Sequence, residues 1–457
     1  MGQWGGFDAA AAAVRVSTVS LRRPSLTLVA LLLVTLATFV LIGHSRAAAP
    51  GAATPVASPA CGTVEYGGKG QPEALVVSDL PLQGDSKQRS LQMNDAIRLV
   101  LGGANWQAGG VKVGFQACDD SSAKTGLWTV QQCQANANAY AADPSVLAVV
   151  GTYNSGCAEA MIPILSNAPG GGVAMVSPGN TLICLTQSSP SCPQGQPGSL
   201  YPGVRNYARV VPNDAYQGAG LASFAKKQGV KKAYVLYAGK DPTSLGQAKT
   251  FRGAAHKLGI KVVGFKAWNV KAKNYRGLMK TVAKSKPDAV LLAGLTEENG
   301  GRLIKDKVSV LGANSKVKLL APDGFAQQST IELAGKAAKG MFASVPGQVP
   351  QNLTGQGKKL VGELEIELKG PVELYAPYAG QAAEVVLNAI GKGQTRGGTI
   401  EAVRSTSVQN GITGSFDILP SGDPSIGPIT VSVAKKTFVP FQVVEPGPAL
   451  VKAARHG

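Results

Sequence analysis

Short apolar runs alternate with stretches of helical spacing along most of the chain. The run "EALVVSDL" reads as a strand, and after it Met93, Ala96, Ile97, Val100 and Leu101 fall on one helical face. "VKVGF" is a second strand, "TVQQCQANANAYAAD" a helix, "VLAVVG" a strand, "AEAMIPILSN" a helix and "GVAMVSP" a strand. A Cys/Pro/Gly-rich insertion, residues 184–203, interrupts the pattern. It then restarts with "AYVLYAG" (strand), "SLGQAKTFRGAAHKLG" (helix), "KVVGFKAW" (strand), "YRGLMKTVAKS" (helix), and the strands of "DAVLLAGL" and "VKLLAPDG". Two helical stretches, "GQGKKLVGELEIELKG" and "APYAGQAAEVVLNAIGKG", precede a β-rich end, "ITGSFDIL" and "PITVSVAKKTFVPFQVV". Such alternation predicts an α/β fold with parallel sheets and right-handed crossovers. It occurs as two units of similar plan, which suits a chain of 457 residues, too long for one ordinary core.

Composition changes this picture mainly at the N-terminus. Arg15, Arg22 and Arg23 precede residues 24–43, "PSLTLVALLLVTLATFVLIG", which carry no charge. A basic region before an apolar segment reads as a signal peptide or membrane anchor, residues 1–47, with Ser45 and Ala47 suited to cleavage. Residues 48–61 read as an Ala/Pro linker. The remainder is expected outside the membrane, as an exported periplasmic, cell-surface or secreted protein. All six cysteines lie beyond the apolar segment, an even number that suits disulfides. Cys184 and Cys192 bracket a short loop and form the first expected pair; Cys133 and Cys157, each early in a helix, form the second. Only His44, His256 and His456 are present and no CxxC occurs, so no Cys/His zinc site and no cofactor is expected. The net charge of +18 is scattered through helix-like segments rather than gathered with aromatics on a groove, which argues against nucleic acid.

Signatures of catalysis are sparse. Ser155 lies in "YNSGC", not in a G-x-S-x-G elbow, and His256 in a Lys-rich helix is a poor candidate for a general base. "GAGLAS", Gly218–Ser223, opens a helix more readily than it forms a dinucleotide loop, and Asp119-Asp120 at a strand end reads as solvated or capping. The positions of three other polar residues carry more. In parallel α/β sheets, ligands bind beyond the carboxyl ends of the strands. Ser155, beside Asn154, follows "VLAVVG" and starts a helix; Thr181 in "SPGNT" follows the next strand; Asp323 in "LLAPDG" ends a strand of the second unit. Hydroxyls and helix-start amides suit a carboxylate, and an acid on the other unit suits an ammonium. An N-cap for Ser155 and a turn role for Asp323 are the plainer readings.

The ordered pieces "VVGTYNSGCAEAMIPIL", "AMVSPGNT", "YARVVPNDAYQGAGLA", "KNYRGLMKTVAKSKPDAVLLAG", "LLAPDG" and "NGITGSFDILPSGDPSIGPITV" resemble the leucine/isoleucine/valine-binding family, from about residue 73 to 445. These are extracytoplasmic solute receptors of ABC importers with the type I periplasmic-binding fold. The resemblance implies two Rossmann-like lobes with parallel sheets, joined by a three-stranded hinge. Lobe 1 would comprise 62–206 plus 345–412, lobe 2 207–344 plus 413–446, and 447–457 a tail. It implies that Ser155, Thr181 and the backbone of Gly179 hold an α-carboxylate, and that Asp323 holds the amino group. Leu245 stands where the family usually has an aromatic residue, as do Leu295 and Thr296, so the lobe-2 wall is less aromatic and the ligand need not be a branched-chain amino acid; a short peptide or an amide also fits. The expected partners are a small-molecule ligand and an ABC permease. The alternatives are a ligand-sensing receptor subunit of the same fold and a secreted serine hydrolase using Ser155.

Overall fold

The computed structural model describes residues 52–239 and 241–457. The expected signal or anchor segment, 1–47, lies outside them. Among the described residues no helix is long and apolar enough to cross a membrane.

The first sheet contains β1 (Ala74–Leu80), β2 (Gln107–Ala108), β3 (Val111–Asp119), β4 (Val146–Gly151), β5 (Ala174–Ser177) and β6 (Tyr207–Arg209). Their order is β2-β3-β1-β4-β5-β6, parallel apart from the β2–β3 pair. Strand side chains alternate between faces, and β1 shows how this builds two cores. Ala74, Val76 and Leu80 face one core, with α1 (Lys87–Gly103) and later helices; Leu75 and Val77 face the other, with α2 (Val130–Ala142) and α3 (Ser155–Ser166). All six cysteines belong to that second core. They form three disulfides, Cys61–Cys118, Cys133–Cys157 and Cys184–Cys192.

The chain then enters the second sheet through α4 (Asp214–Lys227). The strands are β7 (Lys232–Ala238), β8 (Lys261–Trp268), β9 (Ala289–Ala293), β10 (Lys318–Ala321) and β11 (Phe342–Pro346), with α5 (Pro242–Lys257), α6 (Arg276–Lys284), α7 (Gly300–Leu311) and α8 (Gln328–Ala334) between them. It returns to the first lobe for α9 (Gly355–Leu368), α10 (Ala376–Gly393), α11 (Arg396–Arg404) and the hairpin β12 (Ser407–Gly411) and β13 (Gly414–Asp417). A third crossing brings it back for β14 (Ile429–Ala434), β15 (Phe438–Val444) and α12 (Pro448–Arg455). The second sheet runs β15-β14-β11-β10-β9-β7-β8, with β14 and β15 antiparallel to their neighbours. One face is covered by α4, α5 and α12, the other by α6, α7 and α8.

Several local readings change. Residues 207–209, expected to open lobe 2, close the first sheet, because Tyr207, Ala208 and Arg209 pair with Met175, Val176 and Ser177. Residues 414–417, likewise expected in lobe 2, pair with β12 instead. The expected linker is tied to the first lobe: Ala53 N–H donates to Pro72 C=O and Val56 N–H to Gln116 Oε1. Most of the expected tail is α12, which buries Val451 and Ala454. The "GAGLAS" segment lies inside α4, where a Cβ on Gly218 would come 2.5 Å from Thr250 Oγ1; the glycine permits close packing of α4 on α5. Asp119 accepts from Leu82 and Ser121 N–H, a capping role, but Asp120 is not solvated. Its carboxylate is fully buried near Asp79 and the Cys133–Cys157 bridge, and burial pushes its pKa well up.

Candidate ligand-binding cleft

The first-lobe rim is built from two loops at the ends of β4 and β5. Asn154 precedes α3 in extended conformation, and Ser155 opens the helix. Ser177 Oγ accepts from the N–H groups of Gly179 and Asn180, at 3.2 and 2.8 Å. Asn180 Nδ2 in turn donates to the carbonyls of Thr152 and Tyr153, both at 2.9 Å, tying the two loops together. Leu182 N–H reaches Ser155 Oγ at 3.3 Å. Beneath them lies a fully buried ion pair. Arg209 Nε donates to Asp423 at 2.8 Å while its Nη1 donates to the carbonyls of Asn180 and Leu182. Burial is the largest influence on Asp423 and acts upward, but the Arg209 guanidinium together with the donors of Gln187 and Thr186 outweighs it and holds the carboxyl below the usual range. Such a charge-assisted clamp fixes the loop that carries Thr181.

The second-lobe rim is acidic. Asp323 follows β10, and its Oδ1 accepts from Gln217 Nε2 at 2.6 Å and Gln247 Nε2 at 3.1 Å. Its Oδ2 accepts from the hydroxyl of Tyr375, contributed by the first lobe, at 2.6 Å. Burial raises the Asp323 pKa, and these donors offset part of the rise. Asp214, at the start of α4, is fully buried; burial first and the Asp323 charge second push it up to about 8. Neither oxygen of Asp214 has a donor in full hydrogen-bond geometry among the described residues, although Thr181 and Gln247 lie close enough to draw its pKa back down, and Gln247 Oε1 lacks a donor as well. Three acceptor atoms thus lack donors, an arrangement that an ammonium, rich in N–H groups, complements. Asp241 caps α5, its Oδ2 accepting from Ser244 N–H at 2.6 Å, and is also raised by burial.

The two rims enclose a small cavity lined by Asn154, Ser155, Gly179, Thr181, Leu295 and Asp323. Six of the eight ligand-contact candidates therefore meet at one place. Leu245 does not reach it; Thr243 and Gln247, on the same helix α5, do. Thr296 is turned away, its hydroxyl donating to Gly324 C=O and bonding Thr330 Oγ1. Tyr153 and Asp241 complete the lining. Sequence reasoning passed over Asp214, Gln247, Tyr375 and Arg89. Arg89 is buried in α1 with its guanidinium 4.6 Å from the Tyr153 ring centre, and its Nη1 donates to the Tyr153 hydroxyl. "NDAYQG" after β6 was the available signal for Asp214, an acid at a helix start beyond a strand end.

A cavity of about 20 Å³ is little more than a water molecule needs. A larger ligand enters only if the lobes part, so the geometry is that of a closed cleft. Two α/β lobes, crossed three times by the chain and meeting over such a cavity, define the class: a hinged, type I ligand-binding fold. The chain matches the family described as periplasmic binding protein over residues 80–436, and it belongs to that family. It is 24% identical over 221 residues to the leucine-, isoleucine-, valine-, threonine- and alanine-binding protein of Pseudomonas aeruginosa, a match covering 48% of this chain and 54% of that protein. The chain thus spans about half the length of that curated relative. Among solved structures, a leucine-binding protein of Thermotoga maritima superposes with a TM-score of 0.70 at 22% identity, covering 82% of this chain and 99% of that one. A solute-binding protein of an ABC transporter from R. palustris, solved with benzoate, gives 0.67 at 17% identity, covering 81% and 96%. The family and these neighbours are solute-binding proteins rather than enzymes, which removes the serine-hydrolase alternative.

Proposed function

We propose that this chain is an extracytoplasmic solute-binding protein that captures a small amino-acid-like ligand between its lobes and delivers it to an ABC import permease. The observation that carries the reading is the polarity of the cavity. Ser155 and Thr181, with the backbone of Gly179, offer donors to a carboxylate from one side. Asp323 and the Gln247 carbonyl oxygen offer acceptors to an ammonium from the other, with the buried carboxyl of Asp214 close enough to Asp323 to feel its charge. A ligand bearing only an acid, such as the benzoate of the R. palustris neighbour, would leave these two carboxylates uncompensated, so the acids favour a zwitterion. Ligand stabilises the closed form because only there is it held from both lobes. The family, the three disulfides and the basic-then-apolar N-terminus support export.

The test is a thermal-shift screen of amino acids, short peptides, amides and aromatic acids, followed by calorimetry. A zwitterion is expected to raise the melting temperature and bind at one site per chain. Stabilisation by aromatic acids alone would overturn the assignment of ligand class. A pull-down of membrane extracts with ligand-saturated protein separates transport from sensing: recovery of a permease supports the first, recovery of a signalling subunit the second.

A further inference from the structure

Beside the ligand cavity lies a second, larger one of about 190 Å³. Asn154, Asp241 and Leu295 line both, so the two are neighbours through a shared wall. The walls of the second are apolar and come from both lobes: Leu127 and Trp128 from the loop between β3 and α2, Val270 and Leu295 from loops after β8 and β9. An apolar cavity of roughly 150 Å³ admits a benzene, so this one has room for an aliphatic chain of several carbons. One end is acidic. Glu297 Oε1 accepts from the Ser86 hydroxyl across the cleft and from Gln327 Nε2 at 3.3 Å, while Oε2 is buried without a partner among the described residues. Glu298 lies next to it, accepting Leu295 N–H at 2.8 Å and the Ser244 hydroxyl at 3.3 Å; burial, with the Asp241 charge behind it, pushes it up to about 8. The whole chain carries a formal charge of +18, so this acid end runs against the sign of the molecule.

We propose that this cavity is a second subsite, which takes the aliphatic chain and terminal ammonium or guanidinium of a basic amino acid whose α-carboxylate and α-ammonium occupy the first cavity. The inference rests on the solute-binding reading and names its substrate class. The first cavity recognises the common part of an amino acid; the second measures chain length and terminal charge. Because its walls are shared between lobes, a long chain also adds contacts that exist only in the closed form. Carboxylates without full complements of donors then gain charge-assisted bonds from the ligand terminus.

Calorimetry with L-alanine, L-norleucine, L-glutamate, L-lysine and L-arginine tests this on the whole exported chain. Lysine or arginine is expected to bind at least about tenfold more tightly than norleucine, which has a similar chain without the charge. Glu297→Gln is expected to shrink that ratio severalfold. Trp128 emission should shift with lysine and stay unchanged with alanine. If Glu297→Gln fails to fold, Val270→Trp serves, since filling the channel from a half-buried position should cut the same ratio. Equal binding of alanine and lysine, or tighter binding of norleucine or glutamate than of lysine, would overturn the subsite while leaving solute binding intact. No binding by any amino acid would overturn both.

Discussion

On the first-lobe rim the polar groups are largely spent on one another: Ser177 and Asn180 stitch two loops together, and Arg209 with Asp423 holds them from below. Across the cleft, Asp214 and Gln247 keep three acceptor atoms without donors, and Asp323 borrows a donor, the Tyr375 hydroxyl, from the opposite lobe. The first rim is satisfied within the protein; the second keeps acceptors that the proposed ligand would meet. The difference teaches where binding energy resides. A preorganised rim sets geometry at little cost, whereas in the proposed binding mode desolvated acids would convert ligand charge into closure.

The largest expected effect comes from breaking the acidic rim. Asp323→Ala should weaken a zwitterionic ligand by about 2–5 kcal/mol, because it strands a buried ammonium, and calorimetry reads the loss directly. Unchanged affinity would mean that Asp323 serves only its turn and its three internal donors.

The next effect sharpens the comparison through pH. The Asp214 pKa is raised from 3.8 to about 8, with Asp323, Thr181, Arg209 and Gln247 around it. The folded, ligand-free protein therefore holds a proton that the unfolded chain has released, and this group's contribution to stability falls as pH rises from about 4 to 8. A cationic ligand favours the ionised form, so affinity should rise with pH, by up to about tenfold per unit, and level off near 8. Asp214→Asn should flatten that profile and stabilise the ligand-free protein by about 1–4 kcal/mol near neutral pH, since folding no longer has to take up a proton at this position. Melting curves and calorimetry from about three pH units below the Asp214 titration to about one above it check both signs.

Smaller losses are expected on the preorganised rim. Ser155→Ala and Thr181→Ala should each cost about 1–3 kcal/mol of affinity, one hydrogen bond to the carboxylate apiece, and Thr181→Ala should also move the pH profile upward, since Thr181 helps lower the Asp214 pKa. Leu245→Ala should change affinity by less than about 0.5 kcal/mol, because Leu245 does not line the cavity; a loss as large as that of Ser155→Ala would place it in the site after all.

The main elements were legible because hydrophobic period is local. "VLAVVG" is β4, entirely buried, and the stripe from Met93 to Leu101 is the buried face of α1. Ser155, Thr181 and Asp323 could be found because strand ends are where crevices open. The helix α7 was missed because it begins at Gly300-Gly301 and its stripe is broken by Lys307, a buried lysine. The Lys307 ammonium donates to Asn314 and to the Val317 carbonyl, and burial pushes its pKa down to about 7. No hydropathy pattern marks such a residue as core. The donors around Asp323 were hidden for another reason: Gln217 lies 106 residues away in sequence and Tyr375 lies 52 away. Folding of the second lobe brings Gln217 to Asp323, and only the return of the chain to the first lobe brings Tyr375.

The three chain crossings also set a timetable for assembly. One face of the first sheet is covered by α2 and α3 and carries cysteines that all lie between residues 61 and 192, so the segments that build it are made early in synthesis. The other face needs α10, which begins at Ala376, about 300 residues after β1 at Ala74. At about 5–20 residues per second, that delay is roughly 15–60 s. Throughout it Val76, Phe115 and Val150 have α1 but not α10 over them, while the segments that build the opposite face have already been made.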